Sequence, residues 1–210
     1  MKLLRPFSIL ALTLAAGSTF AYAQEGPDVF FGVGTAQAPS SNQLINTFGD
    51  GTLYSTPKMT GTFGKAGADI MITPHFGVGG EADFRFSQGA YAGLNYRPTF
   101  YDFNGIYAPT FSRFKRIVPE FQAGLGGMNI KFYYTSAYCD QFAGCSSSNQ
   151  YIESSNHFQF HLEAGLRIYV TSHIFVRPQV DAHWVNNLYQ FGSSWVPEYG
   201  ASIGWSFSAH

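Results

Sequence analysis

Charge is what this chain has least of. Lys, Arg, Asp and Glu make up 12% of its 210 residues, about half of the roughly 25% usual in soluble domains. A domain that meets water on every side covers itself with Lys and Glu, and this chain has too few to do so. Part of its surface therefore faces something other than water. No basic patch is available to neutralise phosphates, which argues against a nucleic-acid partner. Beyond the N-terminal segment no stretch approaches 18 consecutive apolar residues, so there is no candidate transmembrane helix. A membrane, if crossed, is crossed by strands. In excess are aromatic residues, at 18%, and glycine, with 23.

Residues 157–170 carry the clearest pattern. Phe158, Phe160, Leu162, Ala164, Leu166, Ile168 and Val170 are apolar, while His157, Gln159, His161, Glu163, Gly165, Arg167 and Tyr169 between them are polar, small or amphipathic. Strand side chains alternate between faces, so this is a strand with one oily and one ionisable face. Its length of about 14 residues exceeds the usual 5 or 6. The pattern recurs. Phe76, Val78, Ala82, Phe84 and Phe86 oppose Glu81, Asp83 and Arg85. Ile70 and Ile72 share a face against Lys65 and Asp69. Val176, Val180 and Trp184 oppose Arg177, Asp181 and His183, and Tyr199, Ile203, Trp205 and Phe207 oppose Glu198, Ser202 and Ser206.

Eight strands are expected, at about 28–37, 58–72, 76–87, 91–108, 117–135, 156–170, 174–185 and 196–207, with ten as the alternative if the two long middle strands are each divided. Thr73-Pro74-His75 and Thr171-Ser172-His173 are tight turns, and a further turn spans 109–116 with Arg113, Lys115 and Arg116. Residues 38–57, 136–155 and 186–195 are long connections, while that at 88–90 is short. The strands at 91–108 and 117–135 each change parity partway. A bulge near Gly126-Gly127 is expected to accommodate the change in the second. Short turns at one end, longer loops at the other and an even strand count are features of an outer-membrane barrel. The expected fold is all-β: an eight-stranded antiparallel up-and-down transmembrane β-barrel with both termini in the periplasm.

Alternation alone does not say which face is inside, because a lipocalin-like barrel reverses a membrane barrel. The apolar face is rimmed with aromatics, and the polar face is rich in Gly and poor in Lys. These features put the polar face inward. Counting across the tight turns sets Lys65 opposite Asp83, His161 opposite His183, Glu163 opposite Asp181 and Arg167 opposite Arg177. The expected lumen charge network is Lys65, Asp69, Glu81, Asp83, Arg85, Glu163, Arg167, Arg177 and Asp181. It fills a lumen only wide enough for side chains.

Within it, His161, His183, Glu163 and Asp181 are a possible metal site, since imidazole and carboxylate are ordinary Zn²⁺ ligands. No cofactor is implied. Ser202 and Ser206 share the lumen with the histidines, but no pattern pairs a serine with a histidine as nucleophilic catalysis requires. Cys139 and Cys145, close together in an exported chain, read as a disulfide that constrains a Ser-rich loop. Loop 38–57, with Asn42, Asn46, Gly49, Asp50 and Gly51, reads as exposed.

The first 23 residues read as a signal peptide. Lys2 and Arg5 are basic, Phe7 to Ala16 is apolar, and Ala21-Tyr22-Ala23 ends in a small-x-small cleavage pattern. Cleavage after Ala23 leaves residues 24–210 as one barrel domain, and loss of Lys2 and Arg5 takes the formal charge from −1 to −3. The signal peptide, eight alternating strands and aromatic-rich final strand (Tyr199 to Phe207) together resemble the small outer-membrane barrel proteins of bacteria, the OmpA/OmpX-like and outer membrane protein β-barrel domain families. The resemblance implies a bacterial outer-membrane location. Outer-membrane lipid and the barrel assembly machinery are its implied partners, with an extracellular ligand possible at the loops. The expected role is non-enzymatic, structural or adhesive, with a narrow or plugged lumen. A small-solute channel, a barrel enzyme modifying outer-membrane lipid and a soluble periplasmic binder are the alternatives.

Overall fold

A computed structural model describes residues 26–111, 116–140 and 144–208. The expected signal peptide, with Arg113 and Lys115, lies outside the described residues. Eleven strands run in chain order: β1 (Pro27–Ala36), β2 (Leu44–Ile45), β3 (Tyr54–Ser55), β4 (Gly61–Met71), β5 (Phe76–Arg85), β6 (Gly89–Tyr91), β7 (Leu94–Tyr107), β8 (Ile117–Asp140), β9 (Gly144–Tyr169), β10 (Ile174–Val185) and β11 (Trp195–Ser206). Eight of them, β1, β4, β5, β7, β8, β9, β10 and β11, pair antiparallel with their neighbours. β11 pairs with β1 and β5 with β7, so these eight strands close into a ring. The fold is an eight-stranded antiparallel up-and-down barrel.

Orientation follows from burial. Phe160, Ile168 and Val180 are 47%, 37% and 48% exposed on the outer surface, whereas Glu163 and Asp181 are 4% and 0% exposed inside. The oily face looks out. Aromatics rim it at both ends, Phe76 against Tyr107 near the termini and Phe158, Phe160 and Trp184 near the loops. About ten tilted residues separate these rims, close to the ~25 Å apolar band of outer-membrane barrels.

Three sequence expectations are corrected. First, the chain does not turn at 88–90. It reverses at Ala92-Gly93, where both residues have positive φ, 51° and 79°. Tyr91 pairs with Leu94, so this is a two-residue hairpin with β6 continuing the line of β5. Second, β7 and β8 keep one parity throughout. Tyr96, Phe100, Asp102, Asn104 and Ile106 all point inward on β7, and Glu120, Gln122, Met128 and Ile130 do so on β8. Pairing runs unbroken through Gly126 and Gly127. The one irregularity between β8 and β9 lies at Phe132/Tyr133, where Ile152 is the extra residue.

Third, residues 136–155 are not an irregular loop. β8 and β9 stay paired past the rim up to Asp140 opposite Gly144, forming a two-stranded ribbon tied by the cross-strand disulfide Cys139–Cys145. Residues 38–57 are exposed at Asn42, Asn46, Gly49, Asp50 and Gly51, as expected, yet the segment also folds back on the barrel mouth. β2 and β3 pair within it, Ala38 and Thr56 are buried, and Thr47 hydrogen-bonds the Tyr91 hydroxyl. A short 3₁₀ turn at Tyr189–Phe191 follows Leu188, and Leu188 and Phe191 are buried over the same mouth.

Candidate functional site in the barrel lumen

Inward side chains are arranged in layers along the barrel axis. At the end that holds the termini, Phe30, Ala108, Val118, Tyr169 and Phe175 form an apolar floor. Two guanidinium groups rest on it, Arg177 4.0 Å over the Phe30 ring and Arg167 4.6 Å over Phe175. At the loop end Met59, Phe63, Tyr96, Phe100, Met128, Ile130 and Phe191 belong to a second apolar cluster at the mouth. The Tyr96 hydroxyl is satisfied there by the Lys58 carbonyl.

Between these caps lies the charge. Lys65 Nζ stands 2.9 Å from Asp83, 3.0 Å from Glu81, 3.2 Å from Asp181 and 3.3 Å from Glu198. Arg167 contacts Asp28, and Asp69 and Glu120 at 2.8 and 2.6 Å. Arg177 reaches Glu120 at 2.6 Å, Glu81 at 3.3 Å, Asp69 at 3.4 Å and Glu163 at 3.5 Å. Glu120 and Asp69 thus bridge the two guanidinium groups, which explains how two arginines on adjacent strands coexist in the interior. Inward glycines make the room. A Cβ at Gly79 would lie 2.2 Å from Asp69 Oδ1, and one at Gly34 2.2 Å from Glu198 Oε1.

Eight of the nine residues expected in the charge network are brought together here. The ninth, Arg85, is buried but stands apart near the mouth. It donates to the Thr60 carbonyl at 2.9 Å and sits over the Tyr96 ring at 5.4 Å. The turn-based register holds for Lys65 opposite Asp83, His161 opposite His183 and Glu163 opposite Asp181. Four carboxylates were missed as members: Asp28, Asp102, Glu120 and Glu198, all buried. Glu198 had a signal, since it lies on the polar face of the last strand.

The four expected metal ligands do not converge as a quartet. Ligand atoms of His161, Glu163 and Asp181 lie within 4.8 Å of one another, but His183 groups instead with Asp102 and His161, or with Asp83 and Glu198. Ser202 donates to Gln179 Oε1 at 3.2 Å rather than to a histidine, and Ser206 meets His173 through its backbone carbonyl. A serine–histidine contact does exist at the rim, Ser155 Oγ to His157 Nε2 at 2.8 Å. The other ring nitrogen of His157 contacts the Asn186 carbonyl at 3.2 Å, tying β9 to the 186–194 loop.

A closed antiparallel ring, oily outside and ionic within, defines a transmembrane β-barrel of the outer-membrane type. The sequence matches the outer membrane protein beta-barrel domain family over residues 7–207, and the chain belongs to that family. No curated protein matches it. Among solved structures it is similar to Neisserial surface protein A (NspA), at 14% identity over 87% of this chain and 99% of that one, TM-score 0.56. It is similar to OprG of Pseudomonas aeruginosa at 13% identity, over 88% and 97%, TM-score 0.54. Ail, the attachment invasion locus protein of Yersinia pestis, solved with the heparin analogue sucrose octasulfate, is 11% identical over 87% and 98%, TM-score 0.52. At such identities these likenesses speak to fold. Family and fold together assign the protein to the bacterial outer membrane.

Proposed function

We propose that this protein is a non-conducting, non-enzymatic envelope barrel whose role, structural or adhesive, lies in the segments it displays outside the cell. The observation that carries this reading is the layering of the interior, in which a buried ionic cluster is stacked between two apolar clusters. Ions cross a pore only where water can follow, and a cross-section packed with side chains leaves no such path. The displayed part is the β8–β9 ribbon. About eight residues on each strand extend past Phe132, a reach of roughly 25 Å at the usual strand rise. Its exposed Tyr134, Tyr138, Tyr151 and Ile152 stand among Ser136, Ser146, Ser147, Ser148 and Asn149. Binding surfaces use the same mixture, in which rigid amphipathic rings sit beside small adaptable polar groups. Both termini belong to the periplasmic side in this reading, with export through a signal peptide cleaved after Ala23 and insertion by the barrel assembly machinery.

Planar-bilayer recording tests it. The refolded protein is expected to leave conductance no different from that of protein-free bilayers. Discrete single-channel steps whose ion selectivity changes on substitution of Lys65 or Arg167 would replace this reading with a channel. Protease added to intact cells is expected to cut within 133–151. Cutting only after the outer membrane is breached would reverse the assigned orientation.

A further inference from the structure

Among the described residues, nine Asp or Glu are buried in the barrel interior, against four Lys or Arg. Uncompensated buried charge is costly, so the interior takes up positive charge either as protons on its carboxylates or as a bound cation. The shortfall is greatest around Lys65, where one ammonium serves Glu81, Asp83, Asp181 and Glu198. Neither oxygen of Asp83 or Glu198 accepts a hydrogen bond from the described residues, the Lys65 contacts being ion pairs without hydrogen-bond geometry.

An independent sign comes from His183. Its side chain is 0% exposed, and neither ring nitrogen has a hydrogen-bond partner among the described residues. Buried polar groups are almost always satisfied, so an imidazole left bare on both sides asks for a partner that is not protein. The ring is held in place, stacked 4.5 Å from Phe100 on one face and 4.8 Å from His161 on the other. Its Nε2 lies 3.9 Å from Asp83 Oδ2. Ligand atoms of Asp83, His183 and Glu198 all fall within 4.8 Å of one another. An ion about 2.0–2.2 Å from each would bring such atoms together with small side-chain adjustments.

We propose that Asp83, His183 and Glu198 bind one divalent transition-metal ion of the zinc class inside the barrel. Among the described residues two other groupings of candidate ligands exist, but both require His161. That residue is already engaged on each side. Its Nδ1 lies 3.1 Å from Asn104 Oδ1 and 3.2 Å from Asp102 Oδ1, and its Nε2 lies 3.4 Å from Asp181 Oδ1. With an acceptor at each nitrogen it has no lone pair to offer a metal. The imidazole also selects against calcium and magnesium, which prefer all-oxygen sites. The ion would neutralise two of the carboxylates that Lys65 shares, and the apolar cap above, to which Phe100 belongs, would seal it in. It enters while the barrel closes.

The test uses the full chain refolded in detergent with zinc chloride present throughout, then dialysed against metal-free buffer. Zinc is counted by mass spectrometry, and folding is checked by heat-modifiable gel migration. Wild type and His161→Gln are expected to retain about one zinc per chain, and His183→Gln at least tenfold less. Asp83→Asn and Glu198→Gln, which keep side-chain volume, should each lower retention if His183→Gln does not fold. Folded wild type holding less than a tenth of an equivalent would overturn the proposal. So would equal retention in the folded His183, Asp83 and Glu198 variants, which marks adventitious zinc, or a loss in His161→Gln as large as that in His183→Gln.

Discussion

Replacing Lys65 with Met removes the ammonium that holds four carboxylates together and leaves a side chain of similar length in its place. Glu81 keeps a second cation, Arg177 at 3.3 Å, and Asp181 keeps His161 at 3.4 Å, but Asp83 and Glu198 keep no Lys or Arg. Removing one partner of a buried ion pair costs about 3–5 kcal/mol. Two carboxylates stripped at once put the expected loss near the upper end, at about 5 kcal/mol. Trp184, Trp195 and Trp205 lie near the barrel rims and report unfolding by fluorescence. Unfolding in urea is followed in detergent micelles, in metal-free buffer so that no cation substitutes for the lysine. At a slope of about 2 kcal/mol per molar urea the midpoint should fall by roughly 2–3 M. Lys131→Met, at an exposed position of β8, is the control and should move stability by less than about 0.5 kcal/mol. The double variant Lys65→Met/Glu198→Gln should recover part of the loss, because it removes one of the stripped anions. A Lys65→Met loss below about 1 kcal/mol at unchanged slope, or a Glu198→Gln change that adds to the loss, would refute the account.

Two further outcomes are expected. Val180→Arg puts a charge on the lipid face near the middle of β10 and should cost about 2–4 kcal/mol in bilayer-mimetic refolding; the cost should shrink to about 0–1 kcal/mol for a charge placed at the rim residue Trp184. Ala92→Gly relieves an alanine held at φ 51° in the β6–β7 turn and should raise the urea midpoint by an amount worth up to about 1 kcal/mol, without changing gel migration.

Where the turns are short, the interior was legible in the sequence. Thr73-Pro74-His75 and Thr171-Ser172-His173 fix the registers of β4 with β5 and β9 with β10. Counting outward from them places Lys65 beside Asp83 and stacks His161 against His183, as found. Register counting reaches only adjacent strands, however, and the network closes across the lumen. Arg177 on β10 meets Glu120 on β8 and Asp69 on β4, contacts between strands that share no ladder. Asp28 on β1, which meets Arg167 on β9, was missed for that reason. Asp102 and Glu120 stand opposite Glu81 and beside Arg167 on adjacent strands, and were missed because the apparent change of parity hid the inward faces of β7 and β8. Arg85 was overcounted because sharing a face with Asp83 does not imply sharing a layer. Its level of the barrel is the apolar mouth, where Tyr96 and the Thr60 carbonyl receive it.

The apparent change of parity in β7 and β8 has a physical cause more informative than the expected bulge. Inward positions stay inward along both strands, while their chemistry inverts near the paired residues Phe100 and Met128. On the terminal side of that level the lumen side chains are Asp102, Asn104, Glu120 and Gln122, and Phe103, Phe121 and Leu125 face out. On the loop side Tyr96, Phe100, Met128 and Ile130 are buried, and the outward positions are Asn95, Arg97, Asn129 and Lys131. Polar-in and apolar-out has become apolar-in and polar-out, the pattern of a barrel in water. The switch therefore marks the height at which lipid ends. It also accounts for where the buried charge sits. At membrane height the outer face is already apolar, and a strand oily on both faces could slip by one residue without penalty. Ionic side chains inside prevent this, because a one-residue slip would turn them into lipid at about 2–4 kcal/mol each for basic residues near the midplane. Above the lipid a polar outer face distinguishes the two sides unaided, and the lumen there can be closed with Phe, Met and Ile.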